Sequence, residues 1–124
     1  MRKSLSKTER LKARADFDRV FTKGNRIQGR SSRLLVLANG LDYNRFAVCP
    51  VRKYGTAVER NRAKRICREA YRNLKLEIGT GFDIVFVVYP KATTGASGRG
   101  DELNARSAEL SEMSTRAGIR RNNG

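Results

Sequence analysis

A mixed α/β domain is what this sequence predicts, and three patterns predict it. Residues 57–76, AVERNRAKRICREAYRNLKL, place apolar side chains at helical spacing. Residues 82–89, FDIVFVVY, are almost all β-branched or aromatic, the composition of a strand covered on both faces. Another strand pattern, 45–51, precedes the helix, so strand, helix and strand succeed one another as in a parallel βαβ unit. The chain has 124 residues, enough for one domain around a single small core.

In chain order, residues 1–12 are rich in charge and poor in apolar groups, which predicts a loosely attached arm. Phe17, Val20 and Phe21 then recur at i, i+3 and i+4, and Gly24 stands at a helix C-cap, so 13–23 should be a short amphipathic helix. The basic segment GNRIQGRSSR, 24–33, is rich in turn residues, with room for a short strand. Residues 34–38 read as a strand, and Asn39-Gly40 opens the turn that follows. In 45–51, Phe46 and Val48 alternate with Ala47, Cys49 and Val51; Pro50 lacks an amide hydrogen and should lie at an edge or a strand end.

Thr56-x-x-Glu59 has the form of a capping box and should start the central helix. Wound at about 100° per residue, that helix carries Ala63, Ile66, Cys67, Ala70, Tyr71 and Leu74 as one stripe. Arg60, Lys64, Arg65, Arg68, Arg72 and Lys75 lie on the flank, with Arg62 further round. From Arg60 to Lys75 there are seven basic residues and one acid, Glu69. A surface helix selected only for solubility mixes both signs and gains i,i+4 pairs. Crowding like charges costs helix stability, and a polyanion would relieve it.

The whole chain carries a formal charge of +15. Residues 1–90 hold +13 (21 basic, 8 acidic) and residues 91–124 only +2 (6 basic, 4 acidic), so the polyanion site belongs to the first ninety. Arginine outnumbers lysine nineteen to eight. Guanidinium forks grip phosphate bidentately and stack on bases, which favours nucleic acid. Asn61, between Arg60 and Arg62, can donate and accept, as a sugar hydroxyl or a base edge requires. Phe17 and Phe21 share a helical face; they are either core or the lining of a groove where a base stacks.

The chain has no histidine, so the commonest general base is missing, and no nucleophile elbow, P-loop or dinucleotide-binding glycine pattern occurs. Cys49 and Cys67 form no CxxC pair, which leaves no zinc ligand set and suits two small hydrophobes in a reducing cytosol. No apolar run has membrane-spanning length and the basic start lacks a secretory core, so a cytoplasmic protein without membrane association is expected. Past Pro90, KATTGASGRG reads as a linker. Residues 101–117 form a weak helical pattern with Leu103, Leu110 and Met113 as its apolar face. The chain thus divides into an RNA-binding domain, 1–90, and a glycine-rich linker with a weak helix, 91–124. It is left open whether that tail docks on the sheet or is partly disordered.

The segment AVERNRAKRICREAYR resembles the RNR signature of the bacterial ribonuclease P protein component. FDRVFTKGNR resembles that family's first helix, RKYGTAV the basic loop before the signature, and GFDIVFVVYP the strand after it. The resemblance spans about residues 10–90. It implies an αβββαβα order, with a left-handed crossover around the RNR helix that runs against the general rule. It further implies a subunit that joins a large catalytic RNA to remove 5′ leaders from precursor tRNA, an endoribonuclease as holoenzyme. RNA and its magnesium ions would perform the hydrolysis, with no catalytic residue, no metal and no obligate protein partner on this chain. Arg60, Asn61, Arg62, Lys64, Arg65, Arg68 and Arg72 would face the catalytic RNA. Phe17, Phe21, Arg52 and Lys53 would line the cleft for the leader. The competing expectations are a ribosomal RNA-binding protein of the same fold and a metal-dependent nuclease acting alone.

Overall fold

The computed structural model describes residues 9–90 and 99–120. The linker residues 91–98 and most of the N-terminal arm lie outside the described residues. The elements are α1 (Arg14–Lys23), β1 (Asn25–Gln28), β2 (Ser32–Ala38), β3 (Arg45–Pro50), α2 (Ala57–Leu74), a 3-10 turn (Lys75–Glu77), β4 (Phe82–Val88) and α3 (Arg99–Arg116). The four strands make one sheet in the order β1-β2-β4-β3. β2 is antiparallel to β1 and to β4, while β3 and β4 pair in parallel on either side of α2 in the sequence. Pro50 closes the edge strand β3, where its missing amide costs no ladder bond.

Strand alternation divides the core between two faces. Leu34, Val36, Phe46, Val48, Ile84, Phe86 and Val88 pack beneath α2 and α3. The six stripe residues of α2 are all buried, and Tyr71 stacks on Phe46 with ring centroids 4.0 Å apart. Thr56 and Glu59 form the complete capping box, worth about 1 kcal/mol for such a cap. Gly55 precedes it at φ 152, and a Cβ there would come within 2.5 Å of Glu59 Oε1. Both cysteines are free; Cys67 is buried, and burial pushes its thiol up to about 12.

α3 completes the same core. Leu110 and Met113 are wholly buried and Leu103 packs against the cluster. Its apolar stripe is thin because Arg106 interrupts it and is itself only 4% exposed. Arg106 donates to the Ser31 and Tyr89 carbonyls at 3.1 and 2.9 Å and pairs with Glu109, so a buried cation ties α3 to the ends of β2 and β4. Burial works to raise the Glu109 carboxyl, but bonds from Ser31 and Ser32 and the charge of Arg106 hold it below the usual range.

The other face is covered by α1 and the described end of the arm. Leu11 is buried there and its amide donates to the Phe46 carbonyl, so that end is attached where a loose arm was expected. Gly24 ends α1 as expected, with a different cause. Its φ is −69, and it is small because a Cβ would meet the Val20 carbonyl at 2.5 Å.

Candidate nucleic-acid interface

The cations of α2 fall into three groups by what they touch. Arg60 is a brace: its guanidinium donates to the carbonyls of Pro50, Val51 and Arg52 at 3.3, 2.6 and 3.3 Å. It fixes the loop that carries the exposed Arg52 and Lys53 beside the first turn of the helix. Arg62, on the opposite flank, meets Glu102 of α3 at 2.7 Å, and Lys75 meets Glu9 at 2.9 Å. The side chains of Lys64, Arg65, Arg68 and Arg72 make no ion pair with any described residue. Arg65, Arg72 and Asn61 are exposed on the outward side. The described residues therefore leave these four cations without a carboxylate partner. Arg60 and Arg62 are more engaged than their spacing suggested, and Glu102 is the ion-pair partner of Arg62.

Phe17 and Phe21 lie across the sheet from α2. Strand register arranges the face beneath α1 in three rows. The first is Leu37–Asp83–Arg45, the second Arg26–Leu35–Val85–Ala47, and the third Gln28–Arg33–Val87–Cys49. Leu35 and Val85 of the middle row join Leu11 and Val20 in a small core. Phe17, Phe21, Ala47, Cys49 and Val87 are only half buried against it. Phe17, Phe21 and the third row thus form a half-exposed aromatic and apolar surface beside α1, with Arg33 half exposed on that row. Burial raises the thiol pKa of Cys49, and the charge of Lys64 opposes the shift.

Sequence reasoning missed the first row. Asp83 is fully buried and receives Arg45 bidentately, Nε at 2.8 Å and an NH2 at 2.7 Å, with Asn39 at 3.0 Å. Arg45 also reaches Asp16 of α1 at 3.1 Å, and Arg19 binds Asp16 at 2.7 Å. The available signal was a carboxylate inside an otherwise apolar strand, which demands a buried partner. Among the described residues no group of three Cys, Asp or Glu gathers to hold a metal, and the buried carboxylates are committed to arginines.

These features define a small α/β domain with a helix whose cations Lys64, Arg65, Arg68 and Arg72 pair with no described residue, and with two half-exposed phenyl rings on the opposite face of the sheet. The family model described as ribonuclease P matches residues 5–106. The ribonuclease P protein component of Thermotoga petrophila is 41% identical over 87 residues, covering 70% of this chain and 74% of that one. That of Petrotoga mobilis is 42% identical over 84 residues, covering 68% and 71%. Among solved structures, the RNase P protein of Thermotoga maritima superposes with TM-score 0.62 at 35% identity, covering 81% of this chain and 96% of that one. The RNase P protein of Staphylococcus aureus gives 0.74 at 25% identity and 97% coverage of both. The chain belongs to the ribonuclease P protein family. No helix among the described residues is long and apolar enough to cross a membrane.

Proposed function

We propose that this chain binds the catalytic RNA of ribonuclease P through the outward face of α2 and holds the 5′ leader of precursor tRNA against the half-exposed surface beside α1. Family membership supports the role of protein subunit. The observation that carries the RNA interaction is the set of α2 cations that pair with no described residue, Lys64, Arg65, Arg68 and Arg72. Asn61 joins this surface, and Arg62 can reach it by exchanging Glu102 for a phosphate. Arg60 contributes by holding Arg52 and Lys53 beside the first turn of α2. Leaders differ in sequence, and ring stacking with phosphate contacts tolerates any base. Bond breaking belongs to the RNA and its magnesium ions in this reading; the protein contributes binding energy and position.

Reconstitution with ribonuclease P RNA tests the reading. The mixture should remove 5′ leaders at low magnesium, where protein alone and RNA alone do not. Recovery of ribosomal RNA with the purified protein, and no processing RNA, would favour a ribosomal protein instead. Phe17→Ala should weaken binding of leader-bearing precursor by about 1–3 kcal/mol, the worth of one stacked base, and leave mature tRNA unaffected. Equal loss for both substrates would assign Phe17 to packing alone.

A further inference from the structure

Apolar packing alone leaves α1 weakly located. Val20 is its one wholly buried side chain, and Phe17 and Phe21 are half exposed. What fixes the helix laterally is ionic. Asp83, in the central strand β4, holds the Arg45 fork at 2.7 and 2.8 Å, so the guanidinium plane is set by two parallel bonds. The same guanidinium turns its free NH1 to Asp16, the residue before Phe17, at 3.1 Å. Arg19 closes the ring with Asp16 at 2.7 Å and approaches Asp83 at 3.6 Å. Asn39 occupies another acceptor position on Asp83. The assembly bridges β4, β3, the turn after β2 and α1, and it lies two rows from the Arg33–Val87–Cys49 row.

We propose that Asp16, Arg45 and Asp83 form a clamp that fixes where α1 holds Phe17 and Phe21 over the sheet beside the Arg33–Val87–Cys49 row, which makes Asp16 and Arg45 positioning residues for the single-stranded leader. The inference rests on the leader reading above. A buried ion pair is a poor source of stability compared with apolar packing, and its better-attested use is to specify one arrangement among several. Here the arrangement specified is that of a helix whose apolar face is incomplete. Stacking a base on Phe17 requires a fixed ring position, and a helix free to slide over Leu35 and Val85 would not supply one.

The test uses the reconstituted holoenzyme and reads the ratio of affinities for leader-bearing precursor and mature tRNA. Asp16→Asn takes the charge out of the tie to α1, leaving at most a neutral hydrogen bond, and keeps the Arg45–Asp83 pair intact, so the fold persists. It should lower the ratio by about threefold to tenfold, a fraction of one stacked base, with mature-tRNA affinity and holoenzyme assembly unchanged. Asp16→Glu, which can still reach Arg45, should restore most of the discrimination. A purely structural role would shift the melting temperature and leave the ratio alone. An unchanged ratio in Asp16→Asn beside a lowered one in Phe17→Ala overturns the clamp and spares the leader reading. An unchanged ratio in both variants overturns the leader reading, and the clamp's role with it.

Discussion

Arg45→Ala is expected to cost about 3–5 kcal/mol of folding stability, the loss typical when one partner is removed from a buried ion pair. Asp83 would remain wholly buried with only Asn39 bonded to it and Arg19 at 3.6 Å. Urea denaturation measures the difference, and a loss below about 1 kcal/mol, the worth of a surface pair, would place the pair in solvent instead. The effect has a pH signature. Burial works to raise the Asp83 carboxyl, but Arg45 and Asn39, with Arg19 behind them, hold it below its ordinary value. A depressed carboxylate contributes stability that is complete above its unfolded pKa of about 4 and is lost as pH falls through the lower folded value. In Arg45→Ala burial acts without the opposing fork, so Asp83 takes up its proton in the folded state and the penalty relaxes. The stability gap between the two proteins should therefore begin to narrow above about pH 4, as the variant's Asp83 takes up its proton, and narrow further below it as the parent loses its ion pair.

The paired substitution Arg65→Ala with Arg68→Ala is expected to weaken binding to ribonuclease P RNA by about 1–3 kcal/mol for each guanidinium removed. Neither side chain holds a described partner, so no described group is orphaned by their removal. The two are three residues apart on one helix, and Arg68 is flanked by Lys64 and Arg72 at four-residue spacing. Each such like-charge pair costs the free helix roughly 0.2–0.5 kcal/mol. The variant should thus melt at the same temperature as the parent or slightly higher while binding RNA far more weakly. That opposition of signs separates a binding surface from a structural one. Lower stability together with weaker binding would mean that the arginines support the fold.

Much of this architecture was legible because local rules and tertiary packing agree. The stripe from Ala63 to Leu74 is buried as its spacing required, and the capping box forms with both of its bonds. Strand 82–88 is central and Pro50 is at an edge, as their compositions demanded. What local pattern could not reveal shares one cause: a charged residue standing in a place that the pattern reserves for apolar ones. Arg106 interrupts the stripe of α3 and left the docking of that helix open, although its guanidinium satisfies the Ser31 and Tyr89 carbonyls inside the core. Asp83 interrupts β4 in the same way, and its partner Arg45 is 38 residues distant, beyond any local periodicity. For the candidate interface, the residue types on α2 were readable and their partners were not. Only the folded geometry reveals that Arg60 braces a loop and that Arg62 faces Glu102.

The salt dependence of binding to ribonuclease P RNA tests the central claim most directly, because each phosphate neutralised releases condensed counterions. Removing Arg65 and Arg68 should reduce the slope of log affinity against log salt by about 0.7–0.9 for each phosphate that is no longer neutralised, with the protein still folded. A slope identical to the parent's would mean that the cations of α2 do not touch RNA phosphate, and the assignment of this helix as the gripping surface would be wrong.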